Sequence, residues 1–177
     1  MLADLHLTVN TTERIPAKAM TREEQSDAIV VSFAAQWHRP LTKKTFTVVL
    51  RKRIPQVSQF RWLYFHLNSP LSAICGRALI KKTSAITKTE AVALRKAINL
   101  SALEIESYVG KDATIGCYEL GRVEVLSQPV PASELSSRLV YHPPQSFFIL
   151  SKNAKHVINE MAGFNRTERE RPSTSTK

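Results

Sequence analysis

Glycine is scarce in this chain, with five in 177 residues and none of them clustered. That excludes a glycine-rich loop able to cradle a nucleotide phosphate with main-chain amides. Cysteine is scarcer still. Cys75 and Cys117 each sit inside an apolar, strand-like run, where they read as small buried hydrophobes rather than as a disulfide framework. The histidines His6, His38, His66, His142 and His156 are scattered without metal-ligand spacing, so no metal and no other cofactor is expected. No apolar run approaches the roughly 18 residues needed to span a bilayer. The opening Met1-Leu2-Ala3-Asp4-Leu5-His6 carries an acid and lacks the apolar block of a secretory signal. A cytoplasmic protein with no membrane partner is the expectation.

Acids are nearly missing from one region. Between Arg39 and Lys96 there are thirteen lysines and arginines against Glu90 alone, whereas the other twelve cations are outnumbered by fourteen acids. The net charge of +10 therefore belongs to one region rather than to the whole surface. Such segregation points to an anionic partner, nucleic acid first and a membrane surface second. Trp37, Phe46, Phe60, Trp62 and Tyr64 interleave with these cations, a composition suited to stacking unpaired bases. Phe46, Trp62 and Phe65 equally suit a core, while Trp37 and Phe60 lie outside the clean strand patterns.

The central stretch is Thr45-Phe46-Thr47-Val48-Val49-Leu50-Arg51-Lys52-Arg53-Ile54-Pro55. Its period of two predicts a strand over 45–53, with Phe46, Val48 and Leu50 on one face and Thr45, Thr47 and Val49 on the other. It delivers three cations to its end, and Pro55 stops the ladder. Strands are also predicted over 28–33, 61–67, 73–80 (with Gly76 at a bulge or close backbone approach), 113–120, 122–126 and 145–150. Residues 34–44 read as a turn or broken helix. From Thr83 the texture turns helical, with one helix over 89–98 and a second opening at the capping box Ser101-Ala102-Leu103-Glu104 and ending at Gly110. Residues 1–27 read as a flexible leader with a possible capped turn at Thr21-Arg22-Glu23-Glu24. The segment 152–177 reads as a helix followed by a Pro-Ser-Thr-rich tail. The fold expected is α+β and mainly β: a small barrel over 28–151 with two short inserted helices.

Three places resemble the ASCH domain family, a branch of the PUA-like β-barrels. Arg51-Lys52-Arg53-Ile54-Pro55 is similar to the basic strand end after that family's first hairpin. Leu63 to Ile80, with Ser69-Pro70 and Ile74-Cys75-Gly76, resembles its strand, Ser-Pro turn and Val-Gly strand. Pro143-Pro144-Gln145-Ser146-Phe147 resembles its Pro-Gln-Ser-Phe ending. The resemblance implies a cleft for RNA or a modified nucleotide. The family's hairpin signature is Gly-x-Lys-x-x-Glu-x-Arg. With Arg51 in its arginine place, the Glu, Lys and Gly places hold Val49, Phe46 and Lys44. Some relatives are amidohydrolases of acetylated cytidine that use the Lys of that signature. Phe46 and Val49 offer neither a nucleophile nor a base.

The expectation is a regulatory, non-enzymatic module that binds RNA or single-stranded nucleic acid. Arg51 and Arg53 would meet phosphate or a base edge, Lys43, Lys44, Lys52 and Arg77 would supply the field, and Gln145 and Ser146 would hydrogen-bond a base. The alternative is a small hydrolase of the ASCH type, a ribonuclease or acetylated-cytidine amidohydrolase with a rearranged site built on Lys44 and Glu119, the carboxylate expected to face inward.

Overall fold

A computed structural model describes residues 24–55 and 60–164. Six strands form one mixed sheet: β1 (Gln25–Phe33), β2 (Val48–Arg51), β3 (Trp62–Leu67), β4 (Ala73–Thr87), β5 (Thr114–Pro131) and β6 (Phe147–Ser151). Their spatial order is β2-β5-β4-β3-β1-β6, with β1 parallel to β3 and every other pairing antiparallel. After a 3-10 turn at Ala35–Trp37, the helices are α1 (His38–Thr42), α2 (Lys88–Ala93), α3 (Arg95–Ile98), α4 (Ala102–Val109), α5 (Ala132–Arg138) and α6 (Lys152–Met161). None of the described helices is long and apolar enough to cross a membrane.

The class is α+β and mainly β, as expected, but the sheet does not close into a barrel. β2 and β6 are its edges, and no ladder joins them among the described residues. The sheet instead wraps a core to which β1–β5 all contribute, including Ile29, Phe33, Val49, Phe65, Cys75 and Tyr118. A second core lies under α5 and α6, with Val30, Tyr64, Ile74, Leu135 and Ile158. A third packs α2–α4 on Val48, Leu50 and Cys117.

Several elements differ from the pattern-based expectation. The strand expected over 45–53 shortens to Val48–Arg51, and Phe46 joins Val49 in the first core while Val48 and Leu50 face the third. Alternation misassigned Phe46 because the residue precedes the regular pleat, and both faces of β2 are covered. β4 runs on to Thr87 before its own capping box with Glu90 opens α2. The helix expected over 89–98 breaks at Leu94, so three helices rather than two are inserted. β5 passes through Gly121 as one strand, and α5 lies between Pro131 and Pro143. The capping box at Ser101 and Glu104 is present. So is the close approach at Gly76, where a Cβ would lie 2.5 Å from the Glu124 carbonyl oxygen. Cys75 and Cys117 are buried free thiols, whose pKa values burial pushes up to about 11. The capped turn at 21–24, of which Glu24 alone is described, and the tail from 165 fall outside the described residues, while β1 begins at Gln25, inside the expected leader.

Two buried polar groups hold the second core. The Arg77 Nε donates to Glu124 at 2.6 Å, and its Nη1 donates to Asn159 Oδ1 at 3.3 Å. Its guanidinium carbon lies 4.1 Å from the ring centres of both Trp62 and Phe164. Glu124 also contacts Arg122. His66 is fully buried, with Nδ1 3.0 Å from the Tyr141 hydroxyl, and burial lowers its pKa from the usual 6.5.

Arg77→Ala empties the space between Trp62 and Phe164 and takes one partner each from the part-buried Glu124 and from Asn159, and we expect it to cost about 3 kcal/mol or more. Lys82→Ala, which breaks the half-exposed Lys82–Glu119 pair, is expected to cost at most about 1 kcal/mol. Urea midpoints compare the two. Because the folded chain holds His66 neutral, the unfolded chain takes up the proton first as pH falls below 6.5. Stability is therefore full above that pH and declines below it. The urea midpoint of wild type should fall more steeply than that of His66→Gln between about pH 7 and 5.5.

Candidate nucleic-acid interface

The cationic stretch becomes a site through the way β2 ends. β2 pairs with β5, Arg51 opposite Gly116. A Cβ at Gly116 would lie 2.8 Å from the Arg51 carbonyl oxygen and 2.3 Å from Ile54 Cγ2, so only glycine lets the chain turn across β5 there. Arg51 shares the face of Val49, toward the first core. Its Nη2 donates to the Ser32 carbonyl at 2.6 Å, and its guanidinium carbon sits 4.0 Å from the Phe33 ring centre. Lys52 and Arg53, beyond the last ladder pair, are exposed.

From the other edge, β6 pairs with β1 as far as Val31 opposite Phe147. The residues just before Phe147 therefore run alongside Ser32. The result is a cavity of about 370 Å³ lined by Ser32, Arg51, Lys52, Arg53, Tyr108, Gln145 and Ser146. Among the described residues no carboxylate lines it. A larger cavity of about 810 Å³ shares Arg51, Lys52 and Tyr108, and adds apolar and aromatic groups including Phe33, Trp37, Leu100 and Leu103. Among the described residues its one acid is Glu104, which accepts from the Ser101 hydroxyl and main-chain amide, contacts that lower its pKa and leave it a poor base.

Burial lowers the pKa of Arg51, and the neighbouring Tyr108 hydroxyl opposes the shift. Arginine stays charged through such shifts. The Lys52 ammonium lies 5.8 Å from the Tyr108 ring centre, within cation–π range. Among the described residues, Arg51 Nε and Ser32 Oγ are buried without a hydrogen-bond partner.

Of the residues expected at the site, Arg51, Lys52, Arg53, Gln145 and Ser146 come together around the smaller cavity. Arg77 does not. It is fully buried under α6, because its position in β4 faces the second core beside Tyr64. Lys43 and Lys44 are exposed in the turn after α1 and line neither cavity; Lys44 has a φ of 53° there. Glu119 does not face inward: it pairs with Lys82 at 3.6 Å, while its neighbour Tyr118 enters the core. His38 and His142 are exposed and line neither cavity.

Ser32, Leu103 and Tyr108 were not expected at the site. A signal existed for the helical pair, since Leu103 and Tyr108 fall off the Ile105/Val109 stripe that α4 buries. Leu103 is 76% exposed, a large apolar side chain at the mouth of the larger cavity.

The molecule is thus a wrapped mixed sheet with helices outside and a basic, two-lobed cleft at its strand ends. Solved structures that it resembles include ASCH proteins. The ASCH protein of Zymomonas mobilis matches with a TM-score of 0.69 at 17% identity, over 76% of this chain and 95% of that one. A point-substituted form of it gives 0.70 at 16% identity, over 77% and 99%. The chain has the ASCH-domain fold, in keeping with the PUA-like expectation. Its sequence matches no protein-family profile and no curated relative.

Arg51→Lys keeps the charge but gives up the planar contact with Phe33 and the reach to Ser32. It is expected to cost about 1–3 kcal/mol, read as a lower urea midpoint. An unchanged midpoint would mean that this tie contributes nothing to stability.

Proposed function

We propose that this protein binds RNA or single-stranded nucleic acid, a modified nucleotide included, through the two-lobed cleft and without catalysing a reaction on it. One observation carries the reading. Three successive cations and the Gln145-Ser146 pair line a cavity with no acid among the described residues of its wall, and it adjoins a larger, partly aromatic one. Cations attract the phosphate backbone. The wider lobe, with Trp37 and Tyr108, offers rings for a base to stack on. Gln145 and Ser146 carry the donors and acceptors that base edges require. Duplex is a poorer fit, because its bases are already stacked and paired.

Binding is favoured over hydrolysis by the disposition of the groups a hydrolase would need. Lys44 and Glu119 are exposed away from both cavities, and the carboxylate within reach is committed to capping α4. Labelled RNA and acetylated cytidine are each expected to be recovered intact after incubation with the protein. Turnover that disappears in Lys44→Ala would reverse this preference.

The exposed pair Lys52 and Arg53 can be removed without touching the Arg51 tie. The double substitution Lys52→Ala with Arg53→Ala is expected to weaken binding of a single-stranded RNA. It should also flatten the plot of log affinity against log salt by about 0.7 for each phosphate that is no longer neutralised. Unchanged affinity and slope would refute the proposal.

A further inference from the structure

We propose that the smaller cavity is a terminal-phosphate pocket, so that the preferred ligand is a single strand ending in a phosphate monoester. The inference rests on the binding reading above and specifies its ligand. An internal phosphodiester carries one negative charge, whereas a terminal monoester carries nearly two at neutral pH. Arg51, Lys52 and Arg53 meet at one space of about 370 Å³ with no acid among the described residues of its wall. That concentrates more positive charge than a single diester neutralises.

The pocket also holds unused hydrogen-bonding capacity. Arg51 Nε and Ser32 Oγ are buried and have no partner among the described residues, and unsatisfied buried polar atoms are rare in native folds. Arg51 is already held in place by the Ser32 carbonyl and the Phe33 ring, so binding an oxyanion would immobilise little. A monoester has three acceptor oxygens free to meet the exposed Lys52 and Arg53 donors beside the Arg51 guanidinium, while a diester presents only two. The shared wall of Arg51, Lys52 and Tyr108 then places the terminal nucleotide's base in the larger lobe.

The chemistry admits a phosphate at either end of the strand, so the test has matched arms. Fluorescently labelled single-stranded RNAs of one sequence would carry a 5′-phosphate, a 3′-phosphate or hydroxyls at both ends, and would be titrated against the full chain. At least one phosphorylated strand is expected to bind about tenfold or more tightly than the hydroxyl strand. Inorganic phosphate should compete with it, and the preference should shrink in Arg53→Gln and in Ser146→Ala. Lys81→Ala, which removes an exposed cation outside both cavities, is expected to keep it. Equal binding of all three strands would overturn the terminal-phosphate assignment while leaving single-strand binding in place. Binding of none would overturn both.

Discussion

The interaction on which the architecture turns is the bond from Arg51 to the Ser32 carbonyl. β2 and β1 are separated by three intervening strands. In a flat sheet that is four ladder spacings, about 19 Å. The two meet at 2.6 Å because the sheet curls around its inner core, and the guanidinium stacking on Phe33 seals the seam that no ladder closes. One side chain thus completes the wrap and presents charge to the cleft. The same curl brings the end of β2 beside the start of β6, which is why residues far apart in sequence share a cavity.

Arg51 and Arg77 illustrate how differently a sheet can use the same residue type. Both stack on aromatic rings, but Arg77 is fully buried while Arg51 is only partly so. Arg77 meets Glu124 and Asn159 and serves the packing of α6. Arg51 meets the Ser32 carbonyl and the Tyr108 hydroxyl, and among the described residues no carboxylate lines the smaller cavity. A guanidinium that faces a carboxylate in the fold is neutralised there, whereas one that faces only dipoles retains its attraction for an outside anion.

Much of this was legible from residue order. Six consecutive buried residues in β3 read as a strand covered on both faces, because only His66 interrupts the apolar and aromatic run Trp62–Leu67. The box at Ser101 and Glu104 marked the start of α4 from two side chains. The Arg51-Lys52-Arg53 run and the Gln145-Ser146 pair were visible as candidates. What local pattern misjudged were positions whose role depends on a neighbour distant in sequence. Phe46 enters the core just ahead of the pleat, Leu94 breaks a run of good helix formers, and Glu119 faces Lys82 rather than the cleft.

The sequence by itself determined the segregation of charge, the alternation of the strands and the helix caps, since each depends on residues within a few positions of one another. Only the tertiary structure decided which cations face a cavity and which are buried, and that the wrap stops short of a closed ladder. The physical reason lies in the pleat. A period of two says that neighbouring side chains part to opposite faces, but when helices cover the outer face as well, it does not say which face is free. That choice is made by packing. It sends Arg77 under α6 and leaves Arg51, on the inner face of the edge strand, to close the sheet and line the cleft.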